Sequence, residues 1–577
     1  MLKAKNIFFE VPDGDETRIL LNDVSFCVPR GHFMAIVGPS GCGKSTLLKA
    51  IAGINEISSG SFFWEGRDLA EDGDFEPHEI GYVPQFSIAY DELTVDESVE
   101  YSARLRVNAD EDELNDIIDQ ALTETGLMEI ADRQVKLLSG GQKRRLALAM
   151  ELVSSPRLLL CDEVTSGLDP RSEREIVELL HQLSLKDGRI VISVTHSLAQ
   201  MELYDSIMVL VQGNLAYHGS PKVMNHYFGV ETFEDVYPRL ACREPEGWQV
   251  SWLKHYHDYY MRLNEEHLRK FERLGMEPPM PRERNTEEEQ SIQPGFMDQT
   301  MTLLRRRFSI LFRDRMQLVL QIAMIILFPI LVTLFSGEGQ QQIPGLPSSE
   351  TGQFTMADVE AAQHQATVSA QVGSAVSGII MFEVVLLGLM GSNNSSREVA
   401  GERLIMEKEK LGGVSTGAYV CSKMAYLAVL VLVQSLWMFA FVQYFWPYRG
   451  AWPEHLLFLI LANASMTAVC LGISACCRTA DQASLLSIYL VGFQLPLSGA
   501  VLALPEMVAY IAHPFISAYW SWSGSIEGGL VPAVKEAVLA LNNTSFSPAS
   551  TCMLVLGAHV LVGLIIAWWG ASRTRWD

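Results

Sequence analysis

One stretch, Gly38-Pro39-Ser40-Gly41-Cys42-Gly43-Lys44-Ser45-Thr46, restricts the fold more than any other part of the chain. Its spacing is G-x-x-x-x-G-K-S, a phosphate-binding loop that needs a strand before it and a helix after it. Phe33-Met34-Ala35-Ile36-Val37 reads as the buried parallel strand, and Leu47 to Ala52 as the helix. The glycines let the backbone turn and bring N–H groups up to phosphate oxygens. The helix start adds partial positive charge at the same point. Lys44 reaches the terminal phosphates, and the Ser45 hydroxyl suits Mg²⁺. The spacing therefore predicts an α/β P-loop NTPase fold that holds a nucleoside triphosphate with Mg²⁺.

The rest of the first half supplies partners for that loop. Residues 5–30 read as antiparallel strands with a loop at Pro12–Asp15. Gly81-Tyr82-Val83-Pro84-Gln85 is a strand ending at Gln85, a candidate for Mg²⁺ and the attacking water. Leu138-Ser139-Gly140-Gly141-Gln142 opens a helix and forms a second anion site. Leu158-Leu159-Leu160-Cys161-Asp162-Glu163 is a buried strand ending in two carboxylates. Asp162 suits the metal, and Glu163 suits a general base or water-orienting group. Ser166–Asp169 is a turn, and Ile190–Thr195 is another buried strand, ending at His196. His196 is placed to hydrogen-bond a terminal phosphate.

These elements, in this order over roughly residues 1–230, resemble the nucleotide-binding domain of ABC transporters. In that family they are the Walker A motif, the Q-loop, the LSGGQ signature, Walker B, the D-loop and the switch histidine. Val164 stands where the family usually has proline, and the adenine-stacking position falls at Val11, with Phe9 nearby. The resemblance implies ATP as the nucleotide, with Ser139, Gly140, Gly141 and Gln142 completing the site of a second copy and Asp169 of the D-loop also binding nucleotide. One Walker A and one signature per chain imply a dimer, either a homodimer carrying two competent sites or a heterodimer.

Composition changes sharply along the chain. Of 577 residues, 48% are apolar, and from Met316 onward charge-free runs dominate. Spans are expected near 316–336, 371–392, 418–441, 456–476, 483–503 and 552–570, six helices that place both ends on one side. Arg305, Arg306, Arg307, Arg313, Arg315, Arg397, Arg403, Lys408, Lys410, Arg478, Arg573 and Arg575 flank the expected cytoplasmic side; Arg449 and Lys535 flank the other. Residues 236–295 read as a charged, Pro-rich linker after a 1–235 domain, with a helical patch near Glu265–Leu274. Residues 296–315 read as an interfacial helix, and 504–551 as a long external loop with a sequon at Asn543. A net charge of −24 argues against nucleic acid as a partner, and the nine scattered cysteines suggest no metal or disulfide framework. The first five residues lack the apolar core of a signal peptide.

The order of ATPase then six helices, with Glu398, Glu402-Arg403 and Glu407 in an inner loop, resembles the G subfamily of ABC half-transporters. That resemblance implies an all-α membrane domain and a coupling helix within Ser396–Gly417. It also implies a dimeric exporter of lipophilic or amphipathic compounds in the plasma membrane. Glu383, a charge in mid-span, is placed with Phe382, Phe493 and Gln494 as the expected substrate path. An importer, or a machine passing force or signal to a partner, are the competing functions.

Overall fold

Alternating apolar residues over the first 28 positions pair as a hairpin, β1 (Leu2–Asp13) with β2 (Glu16–Val28). The computed structural model describes residues 1–14, 16–85, 88–186, 188–275, 293–335, 356–447, 450–501, 504–542 and 544–573. Arg449, Asn543 and Arg575 lie outside the described residues, as do residues 276–292 of the expected linker. The described chain forms two units. The first takes in residues 1–302 together with 404–415, and the second 303–403 with 416–575.

In the first unit, the strands are β3 (Phe33–Val37), β4 (Ser59–Trp64), β5 (Arg67–Asp68), β6 (Ile80–Val83), β7 (Leu158–Asp162), β8 (Ile190–Val194), β9 (Ser206–Val211) and β10 (Asn214–Gly219). They form two sheets, ordered β2-β1-β4-β5 and β10-β9-β3-β8-β7-β6. In the larger sheet β6, β7, β8, β3 and β9 are parallel. Every residue of β3, β7 and β8 is buried, as expected of strands covered on both faces. Because parallel strands need crossovers, the intervening chain forms helices. These are α1 (Lys44–Ile51), α2 (Val95–Arg106), α3 (Glu111–Thr125), α4 (Gly140–Leu152) and α5 (Pro170–Leu185).

After β10 come α6 (Pro221–Phe228), α7 (Val236–Leu240) and α8 (Pro245–Leu274). The expected linker is thus largely a 30-residue helix. Trp248 and Trp252 of α8 are buried in the core of the ATPase fold, and Tyr260 reaches the His218 ring at 2.7 Å. The helix forms because its apolar residues find this core; at the sequence level its charges disguised them. The segment 404–415 carries most of the Arg403–Leu411 helix. Gln299 fixes it, donating to Gly413 O at 3.1 Å and accepting from Ser415 N at 3.0 Å.

In the second unit, five helices among the described residues are long and apolar enough to cross a membrane. They are Arg315–Phe335, Met356–Ser395, Thr416–Phe445, Trp452–Cys476 and Ala549–Ser572. The span expected at 483–503 is instead a 15-residue helix, Ala480–Gln494, followed by a 3₁₀ turn at Pro496–Ser498. Pro496 cannot continue the backbone ladder, and Gly499 at φ 78 turns the chain. The residues expected as an external loop form the helices Glu506–Ala512, Ser517–Gly529 and Pro532–Leu541. The second of these is packed in the bundle, with Trp522 and Ile526 fully buried. Nor do the arginines of the expected interfacial helix all face outward. In the Phe296–Arg313 helix, Arg307 is buried and holds Glu398 through two bonds of 2.6 and 2.9 Å. Deeper in the bundle, Gln321, Asn394 and Gln434 close a ring of amide bonds at 2.7, 3.0 and 3.2 Å.

Candidate functional site

Four parallel strands deliver four loops to one edge of the large sheet: β3 to Gly38, β6 to Gln85, β7 to Glu163 and β8 to His196. Ligands of open α/β sheets bind beyond the carboxyl ends of the strands.

The glycine loop folds as its sequence requires. Gly43 starts α1 at φ 99, and a Cβ there would meet Leu20 O at 2.6 Å. At Gly38 a Cβ would lie 2.2 Å from Leu210 O. Gly41 opens onto free space, and Pro39 and Ser40 are exposed beside it. Cys42 is buried against the core, and Thr46 sits half-buried in the first turn of α1. No side chain among the described residues caps the start of α1, so its amides point into the loop's concavity. Lys44 is buried, its ammonium donating to Gly38 O and Pro39 O at 3.0 Å each.

Ser45 Oγ donates to Asp162 Oδ1 at 2.8 Å, so the first helix turn and the end of β7 bring two hard oxygen donors together. Burial pushes the Asp162 carboxyl upward, partly offset by the Ser45 bond. This pair, the open glycine cradle and the uncapped helix start fit a metal-bound nucleotide triphosphate. Gln85, expected with the metal set, is turned to Glu163 instead, its Nε2 donating to Oε2 at 2.8 Å.

Glu163 stands in the left-handed region at φ 49. Its amide donates to Val194 O at 3.1 Å, which anchors the turn to β8. His196 Nε2 lies 2.5 Å from Oε1, so Gln85 and His196 grip the two oxygens of one carboxylate. Val164, in place of the family's proline, is fully buried.

The signature residues make their bonds at the start of α4. Ser139 and Gln142 form a reciprocal cap on α4, with bonds of 3.3 and 3.0 Å. Ser139 and Gly140 are exposed; Gly140 faces Leu168, and Gly141 faces Ser172. Asp169 caps α5, accepting from Arg171 N and Ser172 N at 3.1 Å each.

Sequence reasoning missed two participants. Tyr82, buried in β6, directs its hydroxyl at Asp162 Oδ2, 3.5 Å away. Glu151, buried near the end of α4, binds Arg106 at 2.7 and 3.1 Å and Lys408 at 2.9 Å, and accepts from Tyr82 N at 3.3 Å. Burial alone would raise the Glu151 carboxyl; Arg106 and Lys408 outweigh it and hold it at about 2.

The four residues expected along a substrate path lie on two helices, Met356–Ser395 and Ala480–Gln494. Glu383 is fully buried, with His455 Nε2 at 3.2 Å from its Oε2. Its neighbour Phe382 packs edge-on to Phe335. Gln494 accepts from Ser517 Oγ at 3.1 Å and Ala518 N at 3.0 Å, while Phe493 is exposed.

Sheet order, glycine cradle and paired metal donors define a P-loop nucleotide-binding protein with a helical membrane part. Residues 21–166 match the ABC transporter family model, and residues 298–521 the ABC-2 type transporter model. The chain belongs to the ABC transporter family, with an N-terminal ATPase domain followed by an ABC-2 type membrane domain. It is 29% identical over 530 residues to the ABC transporter ATP-binding/permease protein Rv1747 of Mycobacterium tuberculosis, covering 89% of this chain and 56% of that protein. It is 36% identical over 241 residues to ABC transporter G family member 13 of Arabidopsis thaliana, covering 40% of this chain and 34% of that protein. The energy-coupling factor transporter ATP-binding protein EcfA1 of Streptococcus agalactiae is 33% identical over 226 residues, 39% of this chain and 80% of that protein. The chain thus spans about half the length of the first relative and about a third of the second.

Proposed function

We propose that two copies of this chain form an ATP-driven half-transporter dimer that exports lipophilic or amphipathic compounds across the plasma membrane. The observation that carries this reading is the split of the site. Lys44, Ser45, Asp162, Gln85, Glu163 and His196 meet at one sheet edge, while Ser139 and Gly140 present a second anion-binding helix start outward. A helix start so exposed suits the nucleotide of a facing copy. Lys44 and the loop amides hold the phosphates; Ser45 and Asp162 hold Mg²⁺. Bound there, the metal supplies charge neutralisation on the phosphate oxygens. Glu163 orients and deprotonates the attacking water, with Gln85 and His196 setting its carboxylate. Removing the terminal phosphate releases the two copies from each other.

The test is purified protein in lipid nanodiscs. With ATP, Glu163→Gln should accumulate as a stable dimer retaining nucleotide, and candidate amphiphiles should stimulate wild-type ATPase. A protein that hydrolyses ATP while remaining monomeric would sink the reading.

A further inference from the structure

A chain of contacts leaves the metal pair and ends outside the four catalytic loops. Asp162 Oδ1 takes the Ser45 hydroxyl, leaving Oδ2 facing the Tyr82 hydroxyl at 3.5 Å. Tyr82 is only 3% exposed, and a buried tyrosine hydroxyl needs a polar partner. The backbone amide of the same residue donates to Glu151 Oε2 at 3.3 Å. Glu151 in turn binds Arg106 of α2 and Lys408 of the Arg403–Leu411 helix. One residue therefore touches both the metal carboxylate, through its side chain, and the ion triad, through its main chain. From Lys408 the chain runs on through Ser415 directly into the Thr416–Phe445 helix.

We propose that Tyr82 is a positioning residue that ties the orientation of Asp162 to the Arg106–Glu151–Lys408 triad. The affinity for Mg²⁺ and the seating of residues 404–415 are then two readings of one equilibrium. A buried carboxylate with two cations has one orientation; with one cation removed it swings toward the other. Loss of Lys408 leaves Glu151 Oε1 held by Arg106 alone, so the carboxylate shifts beneath the Tyr82 amide that Oε2 accepts and draws the hydroxyl off Asp162. Linkage makes the effect reciprocal, so metal at Asp162 strengthens the hold on Lys408.

The proposal rests on Ser45 and Asp162 being the metal pair, and the test separates the two. Equilibrium binding of a fluorescent ATP analogue to the full chain is followed at 4 °C while free Mg²⁺ is titrated. Wild-type binding that ignores Mg²⁺ would overturn the metal pair and the proposal together. Tyr82→Phe keeps the ring and loses the hydroxyl; it should raise the Mg²⁺ midpoint about fivefold and leave metal-free ATP affinity unchanged. Lys408→Met should raise the midpoint in the wild type and add nothing in the Tyr82→Phe background. An unmoved midpoint in Tyr82→Phe, or equal Lys408→Met shifts in both backgrounds, overturns the proposal. A Tyr82 that merely fills the core would lower the melting temperature and leave the midpoint alone. Should Tyr82→Phe fail to fold, Lys408→Met alone decides, because an unchanged midpoint there rejects the link.

Discussion

Ser45 Oγ donates to Asp162 Oδ1 across 2.8 Å, joining the first turn of one helix to the end of a strand 117 residues later. Two oxygen donors held this close by separate elements would supply two of the six positions around Mg²⁺. Asp162→Asn should therefore weaken Mg²⁺-dependent ATP binding at least tenfold while sparing metal-free binding. A titration of nucleotide binding with and without Mg²⁺ checks this, and equal losses in both would count against the pairing.

Glu163 is gripped at both oxygens, by Gln85 and by His196. Glu163→Gln preserves shape but removes the base, so turnover should fall by about 10²–10⁴-fold with ATP still bound. Single-turnover measurement of phosphate release distinguishes this from a binding defect.

The Glu151 triad makes a pH prediction with a definite sign. Its carboxyl is held at about 2 against an ordinary value of 4.5. A depressed carboxyl contributes stability that is complete above the unfolded value and is lost as pH falls toward the folded one. The contribution is about 3 kcal/mol at neutral pH. Glu151→Gln should thus destabilise strongly at pH 7, and the gap from wild type should narrow between pH 4.5 and about 2. Chemical denaturation across that range is the measurement; a gap independent of pH would contradict the ion triad.

His455 and Glu383 form a buried pair in the helix bundle. His455→Leu removes one polar partner of the buried Glu383, which costs about 1–3 kcal/mol. Glu383→Gln keeps a bonding partner and should cost less. A double-mutant cycle of melting in detergent should give a coupling above about 1 kcal/mol. Additive effects would mean that the two residues act separately.

How much of this was legible depends on distance along the chain. The nucleotide loops were readable because each is a short local pattern at a strand end, and Lys44, Asp162, Glu163 and His196 stand where those patterns put them. Gln85 was legible as a site residue, but its orientation toward Glu163 was not, since that depends on how two loops meet. The role of Glu151 was not legible, because its partners come from α2 and from the Arg403–Leu411 helix. Glu383 drew notice as a lone charge, whereas its partner sits 72 residues away. α8 was hidden for another reason: Leu263 and Phe271 are set among charged residues, and only burial shows that they and the two tryptophans form the helix's inner side.

That helix sets where the soluble half can be cut. A recombinant fragment stopped at residue 235 would leave the Trp248 and Trp252 sockets open to solvent and should precipitate. One carried through Gly275, where α8 ends at φ 64, keeps them filled. The smallest piece of this polypeptide worth expressing alone is therefore some forty residues longer than its nucleotide motifs imply.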